Sequence, residues 1–158
     1  MTARQAAFEQ FAHMHMYSLD QQILVGGNYR GAVQHSNLVY VSGQVPRNGS
    51  VVMLPGRVGE LVTLSQAQQA ASICMLRALH VLHQQLGGLE PIAQVLQMTV
   101  FVQSSADFTQ QSEVADAASN LLHAVLGEAG IHTRTSVGVF QLPKNACVEI
   151  NLTVAIHA

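Results

Sequence analysis

The chain has 158 residues, enough for one ordinary domain with a real core and too few for two of typical size. Apolar residues make up 49% of it and Asp, Glu, Lys and Arg only 10%, against roughly 25% in an average globular protein, which excludes a disordered or tail-like chain. With 7 basic and 9 acidic residues there is no excess positive field, so nucleic acid and anionic lipid are poor partners, and a surface so thinly charged invites self-association.

The first ten residues lack an apolar leader, and no stretch approaches about 18 uninterrupted apolar residues, so no membrane span is expected and the cytoplasm is the plain reading. Residues 4 to 16 carry Ala6, Ala7, Phe8, Phe11, Ala12 and Met14 at amphipathic spacing. They predict a short helix in an N-terminal extension, residues 1–26, appended to the main fold. From Tyr29 the pattern turns to short strands centred on 37–43, and Asn48-Gly49 signals a hairpin turn before Val51-Val52. A helix is predicted from Thr63, where Thr63-x-x-Gln66 has capping-box form, to Gly87-Gly88. Its apolar stripe is Ala71, Met75, Ala78, Leu79, Leu82 and Leu86, with Gln69, Arg77, His80 and Gln84 on a wet side.

Residues 95–103 alternate, with Leu96, Met98, Val100 and Val102 on one face and Gln97, Thr99, Phe101 and Gln103 on the other. A second long helix is predicted over 108–126, capped by Asp107-x-x-Gln110 and ended by Gly127. Two further strands follow. In 134–140, Thr135, Val137 and Val139 oppose Arg134, Ser136, Gly138 and Phe140. In 147–157, Val148, Ile150, Leu152, Val154 and Ile156 oppose a second face that carries Cys147 and Glu149. A turn centred on Pro143-Lys144 would pair these strands, Val139 opposite Val148.

Two striped helices cover one side of such a sheet, so the expected class is α+β with both long helices on one face. The other face, with Gln97, Phe101, Gln103, Phe140 and Cys147, needs a partner and fits an oligomer in which sheets meet. Arg134 and Glu149 are expected on that face, as a carboxylate-binding cation with an acid/base carboxylate, or as an ion pair at an interface. The hairpin register sets their Cα atoms about 13 Å apart at roughly 3.4 Å per residue, leaving room for a small anion.

The set Gly27-Asn28-Tyr29, Val41-Ser42-Gly43-Gln44-Val45-Pro46, Arg134-Thr135-Ser136, Leu142-Pro143-Lys144 and Val148-Glu149-Ile150 resembles the YjgF-like Rid family, the reactive-intermediate imine deaminases. The likeness runs over about residues 27–157, and Gly56-Arg-Val-Gly-Glu60, Gln103-Ser104 and Asp107-Phe108 are similar to a longer branch with an N-terminal extension. Some members carry endoribonuclease L-PSP or translation-inhibitor labels. The resemblance implies a chorismate-mutase-like fold, usually a homotrimer, with a cleft between subunits. It also implies hydrolysis of 2-imino acids or enamines to 2-keto acids and ammonia, without metal or other cofactor. In that likeness Arg134 grips the substrate carboxylate and Glu149 is the acid/base for the attacking water. Ser136 contacts ligand or water through its backbone, and Tyr29, Ser42 and Gly43 form the cleft wall. His132 stands where the family has proline, Ser136 where it has cysteine, and Ser112 and Ala115 where it has an Asn and Tyr pair.

The small-carboxylate cleft also suits a noncatalytic binding or sensing protein, and an endoribonuclease ranks lower because no basic, aromatic-interleaved patch is present. Neither His80-x-x-His83 nor His13-x-His15 has a third ligand at metal spacing, so no metal site is expected. His132 reads as a cleft-mouth or a loop histidine. Cys74 and Cys147, without a CxxC, read as buried thiols in a reducing compartment.

Overall fold

Each helix and strand in the computed structural model, which describes all 158 residues, follows from a local signal, but their pairing does not. The longest helix, Leu64–Leu86, is second in chain order (α2) after Ala3–Met14 (α1). Its capping box forms as expected. Thr63 Oγ1 accepts from the Gln66 N–H at 3.1 Å and Gln66 Oε1 from the Thr63 N–H at 3.0 Å. At the other end Gly87 is left-handed, with φ 74°, a conformation that ends a helix at little cost only for glycine.

The expected wet side of α2 is not wet over its middle. Every residue from Ala70 to Leu82 is buried, including Arg77 at 5% exposure and His80 at 3%. The N-terminal extension supplies the cover. Phe8 and Ala12 of α1 and the following Tyr17 are buried, Phe8 lies beside the His80 and His83 rings, and Tyr17 Oη is 3.0 Å from His80 Nδ1. Arg4 ties α1 down by donating to the carbonyls of Leu89 at 2.9 Å and Ile92 at 2.8 Å. The extension is therefore part of the packed body and no loose appendage.

The main sheet has five strands: β1 (Ala32–His35), β2 (Leu38–Gln44), β5 (Ile92–Gln103), β6 (Thr133–Val139) and β7 (Val148–Ile156), in spatial order β1-β2-β7-β5-β6. Arg47–Asn48 (β3) and Val51–Val52 (β4) form the small hairpin, with Gly49 at φ 64° in its turn, as the Asn-Gly signal requires. The third helix, α3, runs over Gln111–Leu126 and not from 108. The Asp107 carboxylate accepts instead from Ser105 Oγ at 2.8 Å, and no side chain caps α3. Helices lie against one face of the sheet, as expected for α+β, and the core of buried residues fills the space between.

The expected β6–β7 hairpin does not form. β7 inserts between β2 and β5, antiparallel to both, and β6 pairs parallel with β5 alone. Parallel neighbours need a crossover, and α3 provides it. The consequence for side chains is decisive, because residues paired across a ladder share a face. Arg134, Ser136 and Gly138 pair with Met98, Val100 and Val102, so they face the helices. Glu149 pairs with Phe101 and takes the opposite face. Arg134 and Glu149 therefore do not share a sheet surface.

Smaller departures have local causes. A register shift between Val95 and Gln97 turns Val95 into the core and leaves Leu96 exposed. Gln103 and Cys147 are buried and do not lie on the open face. Gln103 Nε2 donates to Asn145 Oδ1 at 2.8 Å and its Oε1 accepts from the Leu142 N–H at 2.7 Å, clamping the loop between β6 and β7. Both thiols are free and buried, and burial pushes Cys74 well up and Cys147 to about 12.

Candidate active site

Strand alternation turns Glu149 outward from β7, and the neighbouring β2 bends beneath it. Between Val41 and Gln44, β2 spends one residue more than β7, a bulge in which Ser42 and Gly43 leave the ladder. Ser42 Oγ donates to the Arg30 carbonyl at 2.6 Å, and its N–H to the Gly31 carbonyl at 2.8 Å, which holds the segment after Tyr29 in place. A Cβ on Gly43 would collide with the Glu149 carboxylate, so only glycine lets the acid rest on the β2 backbone.

Glu149 lines a cavity of about 220 Å³ together with Tyr29, Gly43, Arg47, Arg77 and Lys144. Its carboxylate accepts no side-chain hydrogen bond and has no cation within ion-pairing distance. Burial raises its pKa, because desolvation penalises the charged form. A half-buried, unpaired carboxylate of raised pKa can hold a water and exchange a proton with it.

Arg134 occupies a second site. Its Nη1 donates to Asp116 Oδ1 at 2.8 Å and Ser119 Oγ at 3.1 Å, both on α3. His132 completes this cluster, with Nε2 2.9 Å from Ser119 Oγ and Nδ1 2.6 Å from the Gly130 carbonyl. Since a carbonyl only accepts, Nδ1 is the donor to Gly130, and Nε2 shares a hydrogen bond with the Ser119 hydroxyl. Arg134, Ser119, His123 and His132 border a shallow surface depression. Ser136 follows on the same strand face, its Oγ buried without a partner.

One chain thus brings Tyr29, Gly43 and Glu149 together with Ser42 beside them, and holds Arg134 and Ser136 elsewhere. Asp116 and Ser119 were not expected at Arg134, although their i, i+3 spacing on a helix places both on one face. Arg47, Arg77 and Lys144 were not expected at Glu149. Arg77 had a legible signal: in the run Ala70-Ala-Ser-Ile-Cys-Met-Leu-Arg-Ala-Leu-His-Val-Leu82 the helix is apolar nearly all round, so a cation inside it has to be buried. No group of three His, Cys, Asp or Glu side chains is arranged to hold a metal ion; His80 and His83 serve packing, and His83 Nε2 lies 3.1 Å from Gln5 Oε1.

The family model described as Endoribonuclease L-PSP matches residues 20–156. The chain belongs to this YjgF-like Rid family. Protein TCP17 of Trypanosoma cruzi is 39% identical over 131 residues, covering 82% of each chain. A 2-iminobutanoate/2-iminopropanoate deaminase of Dermatophagoides farinae is 31% identical over 134 residues, 83% of this chain and 88% of that one. The crystal structure of Atu1372 from Agrobacterium tumefaciens, a protein with unknown function, superposes with TM-score 0.86 at 34% identity, over 98% of this chain and 96% of that one. That match runs along nearly the whole chain of this Rid-family protein and so takes in the extension. Its mixed sheet with helices on one face is the chorismate-mutase-like arrangement.

Proposed function

We propose that the protein hydrolyses 2-imino acids, or their enamine tautomers, to 2-oxo acids and ammonia in a cleft closed by a second copy of the chain, as in a homotrimer. The observation that carries this reading is Glu149: unpaired, raised by burial, and set over Gly43 in a cavity that Tyr29 also lines. The family, and a relative that is a 2-iminobutanoate/2-iminopropanoate deaminase, support the same chemistry. Since Arg134 lies on the opposite sheet face, its role as carboxylate anchor requires that it reach the Glu149 cavity of a neighbouring subunit, with Ser136 beside it. The open sheet face is suited to such an association: Glu149 is the one Asp, Glu, Lys or Arg among its strand residues.

In this mechanism ionised Glu149 accepts a proton from water as the oxygen bonds to C2 of the imine and the C=N electrons move to nitrogen. Glu149 then returns that proton to nitrogen, giving a carbinolamine, and next takes the proton of the new hydroxyl and passes it to nitrogen as the C–N bond breaks and C2=O forms, so that ammonia leaves and Glu149 is again ionised. The imine carbon is already electrophilic, so positioning and one proton shuttle suffice, with no cofactor chemistry called on.

The test follows 2-oxo acid release from imines generated in place by an amino-acid oxidase. Glu149→Gln is expected to lose about 10²- to 10⁴-fold in rate, the usual share of general acid–base catalysis. Activity of the native protein should rise as pH climbs through the raised Glu149 pKa, because the ionised form is the base. Equal rates with and without Glu149 would overturn the reading. Binding of 2-oxo acids without turnover would make the protein a carboxylate-binding module instead, and RNA cleavage by the native protein but not by Glu149→Gln would make it a nuclease.

A further inference from the structure

Three of the chain's 7 basic residues, Arg47, Arg77 and Lys144, line the Glu149 cavity, and two of them are arranged as if for an anion. Arg77 is only 5% exposed, in the middle of α2, and a single neutral contact holds it: Nε donates to Gln44 Oε1 at 3.3 Å. The Nε of Arg47 is buried with no partner. Neither guanidinium has an acid within 4.0 Å; the ion pairs of the protein are Arg57 with Glu60, His123 with Glu128 and Arg134 with Asp116. Burial pulls the Arg77 pKa down, Tyr17 offsets this, and the like charge of Arg47 lowers it further. Two such cations kept together without a counter-charge are unfavourable by themselves and become favourable when an anion joins them.

We propose that Arg47 and Arg77 form a subsite for a distal carboxylate, so that the preferred substrates are 2-imino dicarboxylates. The inference deepens the deaminase reading and rests on it for the reaction, though not for the anion site. With C2 at Glu149, a side chain directed along the cavity meets the two guanidiniums, and Ile23 and Leu24 of the extension supply apolar wall for its methylene groups. A 2-imino acid arises from an amino acid, and the anionic group that an amino-acid side chain offers is a carboxylate. Hydrolysis releases the corresponding 2-oxo dicarboxylate and ammonia, with one water consumed.

The experiment compares kcat/KM for the imine made from L-glutamate by glutamate oxidase with that for the imine of L-2-aminobutanoate, in native protein, Arg47→Gln and Arg77→Gln. The native ratio is expected to favour the dicarboxylate at least tenfold, and Arg47→Gln to lower that ratio by tenfold or more; a native ratio near one, or a ratio unchanged in Arg47→Gln, overturns the proposal. Calorimetric binding of 2-oxoglutarate and 2-oxobutanoate separates the two claims. If no imine is hydrolysed, the deaminase reading fails alone when 2-oxoglutarate still binds tenfold tighter and Arg47→Gln removes the difference; equal affinities overturn the subsite as well. Inorganic phosphate binding as tightly as 2-oxoglutarate would also overturn it, by showing a site for any small anion. These ratios stand on native protein and Arg47→Gln even if Arg77→Gln fails to fold.

Discussion

Arg134 and the Arg47–Arg77 pair show two ways of housing a cation in a chain that has only 7 basic residues. Arg134 is neutralised within its own chain: Asp116 and Ser119 hold it from α3 and its side chain keeps part of its surface in solvent. Arg47 and Arg77 have no acid, and Arg77 is almost wholly withdrawn from water. A paired, partly exposed guanidinium can be retained with no ligand at all, since such ion pairs are worth about 0–1 kcal/mol. An unpaired buried one is hard to explain by stability, because burial of a charge is unfavourable unless something compensates it. Of these cations, the Arg47–Arg77 pair is the one that the chain leaves without a counter-charge.

The sharpest way to break this contrast is at Gly43. Gly43→Ala places a methyl group against the Glu149 carboxylate, which must move. Because an error of about 1 Å in a reacting group costs roughly 10²-fold, imine hydrolysis is expected to fall by about that much while circular dichroism shows the fold intact. A rate within twofold of native would mean that the placement of Glu149 is unimportant.

Asp116→Asn addresses the other side of the comparison. It keeps an oxygen for the Arg134 hydrogen bond and removes the competing charge. If Arg134 anchors a substrate carboxylate, KM is expected to fall by up to about fivefold, the range open to a solvent-facing pair. An unchanged KM combined with a normal Arg134→Ala variant would leave Arg134 a structural residue only.

The smallest expected effect concerns the cost of burying charge beside α2. Burial first, then the nearby His83 and Arg77, hold His80 below its ordinary value. The folded protein therefore favours neutral His80. Its contribution to stability is full above the usual histidine pKa of about 6.5 and is lost progressively as pH falls from that value to the lower one of the folded state, because the unfolded chain takes up the proton first. Tm should be lower near pH 5.5 than near pH 7.5, and the drop smaller in His80→Gln; equal drops would show that other groups govern the acid sensitivity.

Particular elements show where local reading ends. Thr63-x-x-Gln66 and Gly87 define α2 at both ends because a cap and a left-handed glycine act over a few residues. Asn48-Gly49 defines its hairpin for the same reason. Asp107-x-x-Gln110 has the same appearance as a cap and makes none, since Ser105 takes the Asp107 carboxylate first. The period-2 patterns of β6 and β7 are real, yet periodicity leaves open which β6 face is inward, and pairing with β5 turns Arg134 and Ser136 toward the helices. Tyr29, Gly43 and Glu149 were legible as a group through family motifs, whereas Arg47 and Lys144 look like ordinary loop or edge residues until the chain is folded.

By itself the sequence determined the helices, most of their ends, the strand periodicity, the small hairpin and the family, and the family motifs grouped Tyr29, Gly43 and Glu149, which line one cavity. These depend on backbone periodicity, capping and motif spacing, which are local. Only the tertiary structure decided that α1 covers α2, that β7 inserts between β2 and β5, and that Arg134 and Glu149 face opposite ways. Those outcomes depend on which apolar surfaces meet across long stretches of chain and on where a crossover helix delivers a strand. The sparse charge first pointed to self-association; in the folded chain three of those 7 cations gather around one cavity, beside a single unpaired carboxylate.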